Sequence, residues 1–299
     1  MNFSQKSYAA HTKSYEPIVQ QEHVLFYKNW FDSETTDLWR HLRMMDGLDP
    51  FLEIYKGASW LTVGDGNFGT AAIYINRSGG KALATDIDES LLIVAKNEGL
   101  INDYKYENAE HLSFDDNSFD FSFCKESFHH FPRPIIALYE MVRCTRKAIL
   151  FTEPNEWKPA PVPIQILQIV KNGIKKAFSR KPAHTDTGNY ETIGNYVYCI
   201  SKREFEKIAM AMNLPAIAYK EFHDVYMEGA GMEKRTGKAK LYRKIKRKIA
   251  IINILSWLGL SVKNRITYII FKEEPDLLLR EQIKLKGFKV IDLPRNPFL

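Results

Sequence analysis

Apolar and polar positions change period repeatedly along residues 34–153, and each change marks the edge of an element. In ETTDLWRHLRMMDGLDPFLEIY, residues 34–55, the apolar positions fall at helical spacing and break near Gly47 and Pro50. The run ending at Val63 predicts a first strand, and TAAIYINRSG a helix closed by Gly79 and Gly80. KALATDID predicts a second strand ending in acids, ESLLIVAKNEGL a helix, and DYKYENAE a short strand and loop. FDFSFCKE, PIIALYEMVRCT and KAILFTEP complete the series as strand, helix and strand. Strands alternating with helices require a parallel sheet covered on both faces, with right-handed crossovers and ligands at the carboxyl ends of the strands. Phe114, Phe119, Phe121 and Phe123 read as core, and Asp115 to Ser118 as the turn leading into their strand.

The pattern loosens beyond this point. APVPIQILQIVKNGIKKAF predicts a helix after its prolines, and SRKPAHTDTGNYETIGN a polar loop. SKREFEKIAMAMN predicts a capped amphipathic helix, while AIAYKEFHDVYM and RITYIIFKE predict two further strands. Residues 156–200 and 228–264 are therefore expected as helical insertions in a single domain spanning 1–299, together forming a cap.

Composition adds a core-forming chain, 45% hydrophobic, with a mild net charge of +6 that does not by itself indicate nucleic acid. The charge is unevenly placed. Residues 234–248, KRTGKAKLYRKIKRK, hold nine Lys or Arg and no acid, which leaves the rest of the chain slightly acidic. The apolar run that follows, IAIINILSWLGLSV, is too short to span a bilayer. A helix over 234–262 either lies on an anionic membrane surface with Trp257 dipping in, or packs its apolar face on the domain or on the second subunit of a homodimer. IQILQIVKNGIKKAFSRK, residues 164–181, repeats the theme. Cys124, Cys144 and Cys199 match neither a disulfide framework nor a zinc spacing, and the first residues lack the apolar run of a signal peptide. The expected location is cytoplasmic, at the inner membrane face if the basic segment docks there.

The candidate chemistry begins in SWLTVGDGNFGTAA, residues 59–72, where Gly64, Gly66 and Gly69 spell G-x-G-x-x-G between a strand and a helix. Asp86 follows Gly66 by 20 residues, where a carboxylate can accept from both ribose hydroxyls of a nucleoside. These features serve NAD and S-adenosylmethionine alike. NAEHLSFDDNSFDFSFCKESFHHFPRP, residues 108–134, closely resembles the segment that class I S-adenosylmethionine-dependent methyltransferases carry between their third strand and fourth helix. TDIDESLL is similar to that family's acidic loop, and the order of elements over residues 36–153 is similar too.

The resemblance implies an α/β fold, a Rossmann-like seven-stranded class I methyltransferase sandwich with strand order 3-2-1-4-5-7-6, and S-adenosyl-L-methionine as cofactor. Carried over by position, Gly64, Asp65 and Gly66 lie beside the methionine and ribose portions, with Gly69 closing the turn. Asp86 binds the ribose, Ile87 packs on adenine, and Asn108, Ala109 and Glu110 lie at the adenine edge. Lys125 and Glu126 stand near the methionine end. Three departures are visible: Thr62 stands where the family usually has an acid, Phe68 lengthens the turn by one residue, and Asn108 replaces the common Asp. Asp65 either binds the cofactor's ammonium group or holds the turn.

Methyl transfer from a sulfonium is an in-line displacement that needs alignment and exclusion of water, and no metal. A hydroxyl acceptor calls for a general base, and His129, His130 and Glu153, at the carboxyl edge of the sheet, are the candidate catalytic residues, with Asn155 facing the same cleft. In related methyltransferases aromatic N-terminal segments fold over the cofactor, so residues 1–35 are expected as a lid, with Tyr8, His11 and Tyr15 in reach. The resemblance implies O-methylation of a small-molecule, sugar or glycan acceptor, lipid-linked if the basic segments dock, of the kind used in polysaccharide biosynthesis. A cofactor-binding scaffold without turnover and an NAD-dependent oxidoreductase remain the other readings. No motif for nucleic-acid base amines is present.

Overall fold

The periodic stretches become one sheet and its covering helices in the computed structural model, which describes residues 3–15, 30–156, 190, 196–236 and 238–298. Strands β1 (Ser59–Val63), β2 (Lys81–Asp86), β3 (Asp103–Tyr106), β4 (Phe119–Lys125) and β5 (Thr145–Pro154) pair in parallel. Strands β6 (Ala216–Phe222), β7 (Arg265–Phe271) and β8 (Lys289–Asp292) pair antiparallel beyond β5. The order is β3-β2-β1-β4-β5-β7-β6-β8. This is the expected order with one strand added, so the seven-stranded expectation is corrected to eight among the described residues. The extra strand is only four residues long and half exposed at the sheet edge, and it carries no clear alternation of its own.

Helices α1 (Phe3–Tyr15), α2 (Thr36–Met45) and α3 (Asp49–Ile54) precede the sheet, with Thr35 capping α2 and Pro50 in the first turn of α3. Helices α4 (Thr70–Arg77), α5 (Ser90–Asn97) and α6 (Pro134–Cys144) are the crossovers. Helix α7 (Lys202–Ala211), expected as a capped helix, begins in a capping box, with Ser201 and Glu204 each accepting from the other's backbone N–H. Helix α8 (Lys240–Trp257) joins β6 to β7, and α9 (Leu277–Leu285) precedes β8.

Alternation along the strands fills two cores. Trp60, Phe121, Phe123 and Leu150 face one side with Phe51 and Phe271, while Leu61, Val63, Ile149 and Phe151 face the other with Phe128, Phe205 and Tyr268. The four phenylalanines read as core divide: Phe121 and Phe123 are fully buried, whereas Phe114 and Phe119 stack edge-to-face at 5.0 Å on the margin of the second core. A third, smaller cluster holds Ile245 and Ile249 of α8 against Val225 and Ala230, with Trp39 of α2 packed alongside. Most of the expected 156–200 insertion, residues 16–29 of the expected lid and the side chains of His11 and Tyr15 lie outside what is described. No described helix is long and apolar enough to cross a membrane.

Candidate active site

The chain leaves β1 at Val63 and turns at once, because Gly64 takes a left-handed φ of 70° that an L side chain resists. There is no room for one either: a Cβ on Gly64 would stand 2.5 Å from the Cβ of Ser127, whose hydroxyl donates to the Gly64 carbonyl at 2.5 Å. Gly66 is constrained from the other side. A Cβ there would lie 2.6 Å from the Asp86 carboxyl carbon, whereas its N–H donates to Asp86 Oδ2 at 2.8 Å.

Asp65 answers the open question about this loop. Its Oδ1 accepts from Ala71 N at 3.1 Å and its Oδ2 from Ala72 N at 2.9 Å, so it caps the first turn of α4, whose preceding residue Gly69 has no side chain to do so. The Thr62 hydroxyl, standing where an acid is usual, donates to the same Oδ2 at 2.9 Å. Burial pushes the Asp65 carboxyl above its ordinary pKa, and these donors act against that rise. The carboxylate therefore holds the turn. Phe68 is fully buried at φ 57°, which makes it a core side chain on a strained backbone. Phe68→Ala should cost ~3 kcal/mol or more of stability, as the loss of a buried phenyl does elsewhere, read by denaturant unfolding. An unchanged midpoint would show the inserted residue to be mere loop filling.

A cavity of about 260 Å³ opens where β1, β2 and β4 end. On the β2–β3 side of β1 it is lined by Asp86, Ile87 and Ala109, and on the β4 side by Lys125, Glu126, Ser127 and His130. Asp86 is 5% exposed, and burial raises its carboxyl pKa to about 7 although the N–H groups of Asp88 and Gly66 donate to it. Each of its oxygens keeps a second lone pair for a donor entering the cavity.

On the other side, Lys125 Nζ donates to His41 Nδ1 at 3.3 Å. His41, from α2, is held well below the ordinary histidine pKa by burial and then by the cations Lys125, Arg40 and Arg265. It is therefore neutral, with the Nδ1 lone pair turned to the ammonium group. Glu126 sits at φ 55°, its N–H donating to Thr152 O at 2.9 Å and its Oε1 lying 2.8 Å from Arg265 Nε. Strain of this kind persists only where surrounding structure enforces it.

The 3-10 turn Phe128–His130 is organised by Glu153, which is 1% exposed. Its Oε1 accepts from the N–H groups of Ser127 and Phe128, both at 3.1 Å, and its Oε2 from His129 Nδ1 at 2.5 Å. The His129 ring lies on that of His130, centroids 3.9 Å apart. Of the three candidate catalytic residues, His130 alone is among those lining the cavity.

Residues 61–151 match a family model described as a methyltransferase domain. These residues form a methyltransferase domain in a Rossmann-like methyltransferase fold, with S-adenosyl-L-methionine as cofactor. No curated protein matches it in sequence. Among solved structures, phosphoethanolamine N-methyltransferase 2 of Haemonchus contortus, in complex with phosphomonomethylethanolamine and S-adenosylhomocysteine, is similar with a TM-score of 0.52 at 13% identity, over 87% of this chain and 59% of that one. The same enzyme with S-adenosyl-L-methionine gives 0.52 at 13% identity, over 88% and 60%. The YcgJ protein of Bacillus subtilis gives 0.47 at 18% identity, over 77% of this chain and all of that one. At these identities the likeness is one of fold.

Within the methyltransferase domain, the expected cofactor residues separate by position. Gly64, Asp65, Asp86, Ile87, Ala109 and Lys125 line the cavity, while Gly66 and Gly69 shape the turn beneath it. Asn108 and Glu110 are committed elsewhere. The Asn108 side-chain oxygen accepts from Tyr8 OH at 3.0 Å and Glu110 N at 2.9 Å, and Glu110 holds both the backbone N–H and the guanidinium of Arg133. Asn108 thus ties α1 to the cavity rim, where Ser7 and Tyr8 complete the wall. Asn155 is also committed, donating to Glu221 and to the Lys263 carbonyl. His41 and Ser127 are cavity residues that the motif pattern did not single out. A signal for His41 exists in the sequence, since it shares the i, i+3, i+7 stripe of Leu38 and Met45 on an otherwise apolar helix face.

Proposed function

We propose that the domain O-methylates a hydroxyl of a small-molecule, sugar or glycan acceptor, with His130 as the general base. The observation that carries this reading is the histidine ring on the cavity wall, braced from behind by His129 and Glu153. S-adenosylmethionine supplies the electrophilic methyl group when bound. Asp86 accepts from the ribose hydroxyls, Ile87 and Ala109 pack against the adenine, and Lys125, pinned by His41, pairs with the methionine carboxylate. His41 is a positioning residue in this scheme, because its lone pair is already turned to Lys125. Glu126 is available to the cofactor's ammonium group. Helix α1, through Ser7 and Tyr8, covers the cavity as a lid and excludes water.

By analogy with methyltransferases that resemble this chain, the proposed acceptor is a sugar of a surface polysaccharide, methylated on the cytoplasmic side. Incubating a cell extract with methyl-labelled S-adenosylmethionine and fractionating it tests the reading. Label is expected in the glycan or small-molecule fraction, as base-stable ethers, and should vanish with the Asp86→Asn protein. Label confined to nucleic acid or protein, or no label from a preparation that binds S-adenosylhomocysteine, would overturn it.

A further inference from the structure

Helix α8 divides its outward surface along its length. Ile245 and Ile249 are buried against the domain, with Ile252 on the same side. The opposite side presents Lys240, Arg243, Lys244 and Arg247 in the first half and Ile251, Ile254, Leu255 and Trp257 in the second. At 3.6 residues per turn these eight positions share one broad stripe. Trp257 is 84% exposed and Ile254 59%, a large apolar cost for a surface helix of 18 residues.

The cationic half is equally costly on its own. Positions 240 to 248 hold six Lys or Arg, and among the described residues none of the six forms an ion pair. Like charges at helical spacing repel, and cations in the first turns oppose the helix dipole, which Glu233 offsets by accepting from Leu241 N and Tyr242 N. Lys240, Arg243, Lys244, Arg247 and Lys248 also line a shallow concavity that ends at Ile251. The row is thus an unpaired cation cradle running directly into an exposed apolar tip.

We propose that this face docks on an anionic phospholipid surface, with the cradle on headgroup phosphates and the tip formed by Ile254, Leu255, Trp257 and Leu258 entering the acyl boundary obliquely. Charge complementarity selects an anionic partner, and the apolar tip distinguishes a bilayer from a nucleic-acid backbone, which offers no apolar layer beside its phosphates. The helix is about 27 Å long, so the apolar half reaches the depth at which interfacial helices sit without crossing. Its inner side rests beside Trp39, two residues from His41 on the cavity wall, so the docking helix packs on α2, the helix that supplies His41 to the cavity.

Docking is independent of methyl transfer and is tested on the full chain by vesicle sedimentation. The protein should bind phosphatidylglycerol-containing vesicles, bind phosphatidylcholine vesicles weakly, and release as salt is raised. Lys244→Gln with Arg247→Gln should lower the partition coefficient roughly twenty-five-fold, at about fivefold per removed cation. Brominated acyl chains should quench the fluorescence of the bound wild type, and Trp257→Phe should remove that quenching while keeping vesicle binding. Circular dichroism and S-adenosylhomocysteine affinity report whether the variants are folded. Equal binding to both vesicle types, no binding to either, or retention on a polyanion without vesicle binding would overturn the proposal. A concentration-dependent dimer abolished by Trp257→Ser, without vesicle binding, would assign the tip to a second copy and overturn it too.

Discussion

Asp86→Asn should lower affinity for S-adenosylhomocysteine by ~100-fold while leaving the ligand-free protein about as stable as wild type. Both halves of this result come from the same burial. The carboxyl is 5% exposed with a pKa of about 7, against an ordinary value of 3.8. A carboxyl whose folded pKa is raised binds its proton more tightly in the folded state, so its contribution to stability is fully present below about 4 and is lost as pH rises through about 7. The ligand-free cleft thus carries a poorly solvated charge at neutral pH; asparagine removes it but sets its NH2 against the N–H of Gly66 or Asp88, and the two effects offset. Ribose hydroxyls are donors and prefer the ionised form, so wild-type affinity should climb through about pH 7 and level off above it. The variant should lose that climb, since its amide presents one acceptor and an opposing donor. Calorimetric titration across this range, paired with thermal unfolding of the ligand-free proteins, reads both. Unchanged affinity in Asp86→Asn would remove the carboxylate from ribose binding.

The strands were legible because they rest on local periods: alternation from Trp60 to Val63 and again from Phe121 to Cys124 places each strand between two cores, whereas their order in the sheet came from the resemblance to the methyltransferase family. The glycine turn was legible for a related reason, since Gly64 and Gly66 stand where backbone and carboxylate leave no space for a Cβ. Contacts between distant positions were not legible. Asn108 and Tyr8 meet across 100 residues, and their bond ties α1 to a residue expected only at the adenine edge. Glu110 is drawn to Arg133 in the same way, across 23 residues. Asp65 was ambiguous because a carboxylate in a glycine turn can face either a ligand or the helix behind it; its bonds to the N–H groups of Ala71 and Ala72 show it holding the turn, while it also lines the cavity. His41 stood on the apolar stripe of its helix with nothing nearby in sequence to give it a role, and only the sheet's geometry brings that helix to Lys125. Strand β8 escaped because four half-exposed residues are too few to show a period.

His130→Ala should reduce kcat by ~100-fold or more, the range general bases supply, while S-adenosylhomocysteine affinity stays within about twofold. The effect belongs to turnover because the ring lies on the β4 side of the cavity, away from Asp86 and Ile87. His129→Ala should act more weakly and by another route. Its ring is bonded to Glu153 and packed at a tilt against His130, so its loss frees the catalytic ring to rotate without removing the base. Glu153→Gln disturbs more, because the same carboxylate also holds the N–H groups of Ser127 and Phe128, and Ser127 in turn meets Gly64. It should therefore weaken cofactor binding and turnover together. Added imidazole separates the three: a free ring can occupy the space left by residue 130 and restore turnover in His130→Ala, but it cannot rebuild the turn in Glu153→Gln. If His129→Ala were the inactive, imidazole-rescued variant and His130→Ala turned over normally, the base would be the inner histidine, and the bond from its Nδ1 to Glu153 would then fix the proton on that nitrogen and leave Nε2 as the acceptor.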